Sequence, residues 1–382
     1  MRLSDCHNID DFRRLAKQRL PWPVFDYIDG AADDEITKTR NTSAFDEVDL
    51  VPDVLAGVSD IDTSRQIMGR DSALPLVLSP TALQRAFHRD GERAVARAAD
   101  KFGIWFGISS LATHSIEEIA ALTNGPKLFQ LYVHKDKGLN ASMIERCREA
   151  QFDALALTVD TIVSGKRERC LRSGFTTPPR FSASSLWSYA TRPRWTLDYV
   201  FGPKFRLPNL DGHVQEGSGK SVSIQDYFNT MLDTGMDWDT AARIRQDWGG
   251  TFALKGVMSA ADARRAVEIG ADAIWISNHG GRQLDGSRAP FDQLREIVDA
   301  VGGEIEIILD GGVRRGTHIL KSLASGATAA SGGRLYLYAL AAAGQPGVER
   351  AILILKEEIE RGMRLMGVTS IDQLTADRLR WR

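Results

Sequence analysis

From Leu74 onward, eight short apolar runs alternate with amphipathic stretches, and this rhythm restricts the folds open to the chain more than any other feature. The runs are LPLVLS (74–79), IWFGIS (104–109), LFQLYV (128–133), ALALTV (154–159), FALKGV (252–257), AIWIS (273–277), IEIILD (305–310) and ATAASG (327–332). Near-continuous apolar runs of this length suit strands of a parallel sheet that is covered on both faces. Stretches such as GERAVARAADKFG, SAADARRAVEIG and FDQLREIVDAVG carry helical spacing between them. Eight strand–helix units over roughly 260 residues predict an α/β fold, a (β/α)8 barrel. An open doubly wound sheet is the runner-up, but no GxGxxG follows the first run.

Two segments lie outside the rhythm. Residues 8–20, NIDDFRRLAKQRL, predict an N-terminal helix with Asn8 as its cap. Residues 175 to about 235 form an insertion after the fourth strand. The expected organisation is one domain over 1–382, with a barrel core at about 74–340. GVERAILILKEEIERGMRLMG (347–367) predicts a long amphipathic helix, packed on the barrel or on a neighbouring subunit.

In a barrel of this kind the site sits at the C-terminal strand ends. Polar residues gather there: Ser79-Pro80-Thr81-Ala82, Ser109, Gln130, Tyr132, Thr158, Asp160, Lys255, His279, Asp310 and Arg334. The sixth run leads directly into SNHGGRQLDG. A buried strand fixes the height of His279, and the Gly pair lets the chain turn so that Arg282 comes back toward it. A base beside a guanidinium suits an anionic substrate, clamped through its carboxylate while His takes a proton. DGGVRRG (310–316) and GGR (332–334) follow strands seven and eight, the usual phosphate-binding place in barrel enzymes.

SNHGGRQLDG and at least five further motifs in order resemble the FMN-dependent 2-hydroxy-acid oxidases and dehydrogenases, a family that includes glycolate oxidase, L-lactate dehydrogenase and mandelate dehydrogenase. The resemblance runs from about Asp11 to about Leu374. It implies oxidation of an (S)-2-hydroxy acid to the 2-oxo acid, with His279 as general base and the flavin N5 as hydride acceptor. It places Asp160 behind His279, Tyr132 on the substrate hydroxyl, and Arg282, Tyr27 and Arg167 on the carboxylate. FMN would be held by Ser79, Pro80, Thr81, Ala82, Ser109, Gln130, Thr158, Lys255 and Ser277, and its phosphate and ribityl chain by Asp310, Gly311, Gly312, Arg314, Gly333 and Arg334. Lys255 would face the flavin N1 edge. From the residues alone, Tyr27 reads first as an inward-packed aromatic, and the lesser alternative for Lys255 is a lysine reaching toward solvent.

The chain departs from the family in three places. Leu111 replaces the Trp of glycolate oxidase and implies room for a substrate side chain larger than hydrogen. Cys170 stands where relatives carry Asp. Ser331-Gly332 replaces bulkier residues and is expected to loosen strand eight or widen space beneath the flavin.

The insertion mixes Trp187, Tyr189, Trp195, Tyr199 and Phe201 with Arg180, Arg192, Arg194, Lys204 and Arg206. Alternating rings and cations suit a bilayer interface, so 180–206 is a candidate for peripheral membrane contact; a lid or a subunit contact is the alternative. Net charge is −2 with signs interspersed, which argues against a nucleic-acid partner. Three separated cysteines give no metal site and no disulfide framework. The N-terminus shows no apolar signal segment, and no run reaches the roughly 18 residues of a membrane span. A cytoplasmic protein is expected, peripheral on the inner face of the inner membrane if the insertion docks. The resemblance adds a homo-oligomer, a tetramer. If 180–206 docks on a bilayer, the reduced flavin works beside lipid-soluble quinone, so a quinone is the expected electron acceptor. Oxygen as acceptor and a non-redox FMN-dependent isomerase are the alternatives, with a catalytically dead binding barrel further behind.

Overall fold

The computed structural model describes residues 1–175, 183–210 and 229–382, so Arg180 and the middle of the insertion lie outside the described residues. All eight apolar runs are strands: β1 Leu76–Thr81, β2 Trp105–Ser109, β3 Lys127–Leu131, β4 Ala154–Thr158, β5 Thr251–Val257, β6 Ala273–Ser277, β7 Glu306–Asp310 and β8 Ala329–Gly332. They pair in chain order, every pair parallel, and β8 closes on β1 through Ala330↔Leu76, Ser331↔Val77 and Gly332↔Leu78. The predicted (β/α)8 barrel is therefore present, and the open sheet is ruled out.

Strand periodicity decides what fills the barrel. Val77, Trp105, Leu128, Ala156, Ala253, Trp275 and Ile308 belong to one buried cluster, closed off by Ile67 and Met68 of a short hairpin. Side chains two residues further along a strand point to the same face. Two residues on from six of these stand Ser79, Gln130, Thr158, Lys255, Ser277 and Asp310. The lumen thus changes from apolar to polar over one pleat at the C-terminal strand ends. Two bulges adjust that end. β1 slips register between Leu78 and Thr81, where Pro80 has no N–H to offer the ladder. Gly107 faces it, since a Cβ there would come within 2.7 Å of the Pro80 ring. β5 slips between Lys255 and Val257 around Gly256, at φ +114°.

The N-terminal helix Ile9–Arg19 is capped as expected, the Asn8 side chain accepting from Asp11 N at 2.9 Å, and it buries Ile9, Phe12 and Leu15. A second helix, Trp22–Asp29, follows and ends over the rim. Gln345–Met366 buries Val348, Ile352, Leu355, Ile359 and Met363 and packs on barrel helices of the same chain. The insertion contributes helices Ala183–Ala190 and Pro193–Phe201. Strand eight is not loosened by Ser331-Gly332. It is fully buried and paired on both sides, and Ser331 Oγ lies 2.9 Å from Ser79 Oγ.

Two histidines bear on acid stability. His318 is stacked on Phe45 with centroids 4.3 Å apart. Burial, helped by Lys321, depresses its pKa to about 3, and burial depresses that of His134 to about 4. Both stay neutral in the fold at a pH where the unfolded chain binds protons, near 6.5. Stability is then full above that value and falls as pH drops toward 4. We expect Tm to decline steadily from pH 7 to pH 4 in thermal melts, and His318→Phe to flatten part of that slope.

Candidate active site

The Gly-Gly turn after β6 shapes the site. Gly280 and Gly281 sit at φ +67° and +73°, and a Cβ on Gly281 would lie 2.6 Å from Lys38 N. His279 itself is held at φ +56°, a region that costs a side-chain-bearing residue about 1–2 kcal/mol. The turn is fixed from below: His279 N donates to Ser277 Oγ at 3.1 Å, and Gly281 N donates to Asn278 Oδ1 at 3.0 Å. Asn278 is doubly bonded to Asn41, at 2.8 and 2.7 Å.

His279 Nδ1 lies 3.1 Å from Asp160 Oδ1 and 3.3 Å from Oδ2. The bulge at Gly256 makes this pair possible, because a Cβ there would fall 2.6 Å from Asp160 Cβ. Arg282 lies over the Tyr27 ring at 4.9 Å, and its Nη1 donates to the carbonyls of Tyr27 and Gly30 at 2.7 and 2.9 Å. Arg167 is buried, and its Nε has no partner among the described residues. Burial, with the charge of Arg282 nearby, lowers its pKa to about 10. Tyr132 is buried too, and burial together with Asp160 pushes its phenol upward. Tyr27, Tyr132, Arg167, His279 and Arg282 therefore line one cleft.

Pro80, Thr81, Ala82, Lys255, Gly311, Gly312, Arg314, Gly333 and Arg334 line its other side. Asp310 and Ser79 also reach it, but their polar atoms are engaged beneath. The Asp310 carboxylate accepts from Ser79 Oγ and Ser277 Oγ, each at 2.9 Å, and is paired with Lys255. Burial pushes Asp310 up, yet Lys255 and the hydroxyls outweigh it and hold the group below its usual range. Asp310 thus ties Lys255 to the strand ends rather than reaching freely toward the phosphate loops. Arg334 likewise is anchored, donating to the carbonyls of Ile28, Gly30 and Gly280 at 2.7–2.9 Å, and burial lowers its pKa to about 10.

Ser109, Gln130, Thr158 and Ser277 lie behind the lining. Ser109 Oγ donates to Gln130 Oε1 at 2.7 Å, while Gln130 Nε2 and Thr158 Oγ1 are buried with no partner among the described residues. Buried polar atoms left so at a strand-end rim fit a polar ring edge arriving from above. With the Gly311-Gly312 and Gly333 loops and Arg314 beside them, the residues present fit a phosphate-bearing flavin. Leu111 is buried beside this rim, its backbone N donating to Ser109 Oγ at 3.2 Å and its O accepting from Leu83 N at 3.1 Å. Cys170 Sγ sits 3.9 Å from the Asp26 carbonyl, at the back of the Trp22–Asp29 helix.

Sequence reasoning missed Phe87, which lines the cleft, and Phe175, whose ring stacks on Tyr27 at 4.5 Å. It also missed Asp29, fully buried among Arg13, Arg169, Lys38 and Tyr338. A charged residue inside the apolar spacing of WPVFDYID was the available signal for Asp29.

A parallel barrel with a His–Asp pair, two guanidiniums and glycine loops at one rim is the architecture of a barrel enzyme for a phosphate-bearing cofactor and an anionic substrate. The FMN-dependent dehydrogenase family model matches residues 16–381, and the chain belongs to that family of FMN-dependent oxidoreductases. It is 41% identical to the L-lactate dehydrogenase of Alcaligenes faecalis over 376 residues, 97% of each chain, and 39% identical to the L-lactate oxidase of Nostoc sp. over the same share. Among solved structures, a monotopic membrane protein, (S)-mandelate dehydrogenase, superposes with a TM-score of 0.93 at 35% identity, covering 99% of this chain and 100% of that one. FMN is accordingly the cofactor, and relatives that are oxidoreductases count against the isomerase reading.

Thr158→Val removes an orphaned hydroxyl at nearly constant shape. The FMN-free protein should melt at the same temperature or slightly higher, while FMN binding weakens about tenfold, the worth of one hydrogen bond. Flavin fluorescence titration and melting of both forms measure the two effects.

Proposed function

We propose that this protein oxidises an (S)-2-hydroxy acid of the L-lactate or mandelate type to the 2-oxo acid. One observation carries the reading: Arg167 and Arg282, neither paired with a carboxylate among the described residues, share a cleft with a histidine backed by an aspartate. Two such cations suit a substrate carboxylate. Arg282 keeps one nitrogen on the main chain, which fixes its plane, and offers the others to the cleft. His279 takes the hydroxyl proton through Nε2, while Asp160 orients the ring and stabilises the imidazolium that forms. Tyr132 bonds the substrate oxygen, and its raised pKa keeps it a donor. FMN, when bound, supplies the two-electron acceptor for the hydrogen on the substrate carbon.

Tyr27 and Phe87 line the cleft, with Phe175 stacked on Tyr27, which supports acids with an apolar side chain. The acceptor we propose is a quinone, with oxygen slower. Relatives named dehydrogenase and oxidase match equally, so the support comes from the insertion. Its two helices expose Trp187, Leu197, Val200 and Phe201. No helix among the described residues is long and apolar enough to cross a membrane, so contact through this face would be peripheral. A tetramer is proposed from the resemblance alone.

Purified protein should be yellow, and L-lactate or (S)-mandelate should bleach it without oxygen; a holoenzyme that neither acid bleaches refutes the reading. His279→Gln should retain FMN yet slow bleaching by roughly 10²–10⁴-fold in stopped flow. Arg282→Lys keeps the charge and loses the planar fork, so both substrate affinity and reduction rate should fall. Reoxidation by a quinone analogue should outpace reoxidation by air.

A further inference from the structure

A second cavity, of about 520 Å3, lies between the N-terminal helix, the loop after β1 and the insertion helix Pro193–Phe201. Its wall carries Arg19, Arg85, Arg89, Arg192 and Arg194 against one carboxylate, Asp198. That carboxylate lies 3.5 Å from Arg89. Arg85 is bonded to the carbonyls of Pro203 and Lys204, and Arg192 to that of Thr191. Arg192 Nε is buried without a partner, and Arg19 and Arg194 have no ion pair among the described residues. Burial lowers the pKa of Arg19, and the charge of Arg194 lowers it further. Arg19 and Arg192 are half-buried and Arg89 and Arg194 exposed, so this cluster of cations suits an anion that reaches it from solvent.

The wall also carries apolar side chains, Leu20, Phe87 and Phe205, with Trp195 stacked between Tyr189 and Tyr199 at 5.6 and 5.0 Å. The outer faces of the same helices expose Trp187, Leu197, Val200 and Phe201. An anionic cavity ligand beside an exposed apolar face matches a molecule with a charged head and apolar chains. We infer that this cavity seats the phosphodiester headgroup of an anionic lipid while the outer faces of the two helices rest among the acyl chains. The inference rests on the peripheral-membrane reading above and adds a defined site to it.

Full-length holoenzyme is tested against vesicles of phosphatidylcholine with and without phosphatidylglycerol, and against inorganic phosphate. Arg19→Gln with Arg194→Gln removes the unpaired cations. Arg243→Gln with Arg295→Gln makes the same charge change away from the cavity. Flavin absorbance and bleaching by substrate should be unchanged in both. The cavity pair should lose binding to phosphatidylglycerol vesicles by more than about 30-fold, the worth of two surface cations, and the distant pair far less. Equal loss in both pairs, or full binding by the cavity pair, overturns the headgroup site. If Trp187→Ser with Phe201→Ser abolishes vesicle binding while the cavity pair binds normally, the membrane reading stands and this inference falls. Wild type that sediments with neither vesicle overturns both. Phosphate that stabilises the wild type but not the cavity pair, without any vesicle binding, marks a soluble-phosphate site and overturns the lipid assignment.

Discussion

Hydrogen bonds from Arg282 and Arg334 to the carbonyls of residues 27–30 join the N-terminal segment to the barrel rim. A barrel rim is open by construction, and loops alone would leave it wet. Here the end of a helix is drawn across it by two guanidiniums that come from β6 and β8. Asp29 holds the same turn from behind, its carboxylate bonded to Arg13 and Arg169 and to the Tyr338 hydroxyl. Tyr27 is thereby stationed above Arg282, and the cleft acquires its roof. Because the arginines are committed through part of their donors, their remaining donors have a fixed direction, which is what recognition of a planar carboxylate requires.

The barrel was legible because its signal repeats. Eight runs with the same period and length each found their strand within two residues of the expected bounds, and AIWIS matched without any shift. His279 and Arg282 were legible because glycine spacing in SNHGGR leaves few backbone paths. What stayed hidden was of another kind. The pairing of Lys255 with Asp310, and the anchoring of Arg334 on main-chain carbonyls, join residues 55 and more than 300 positions apart. Sequence shows that such groups are polar and near strand ends; it does not show which of them satisfy one another.

The two cavities share Phe87, which is buried and lies 6.0 Å, centroid to centroid, from Tyr27. That ring is part of the wall of both the cleft and the arginine-lined cavity beside the insertion. Any rearrangement of the loop after β1 moves a wall common to both.

The left-handed backbone of His279 has a consequence for the history of such a chain. For folding alone, Gly or Asn suits φ +56° better than an imidazole-bearing residue does. Selection acting only on stability would therefore drift away from histidine at this position, and quickly, since each step downhill is a single residue. A copy of this barrel released from its chemistry should show the change there first, with the strands still intact around a silent rim.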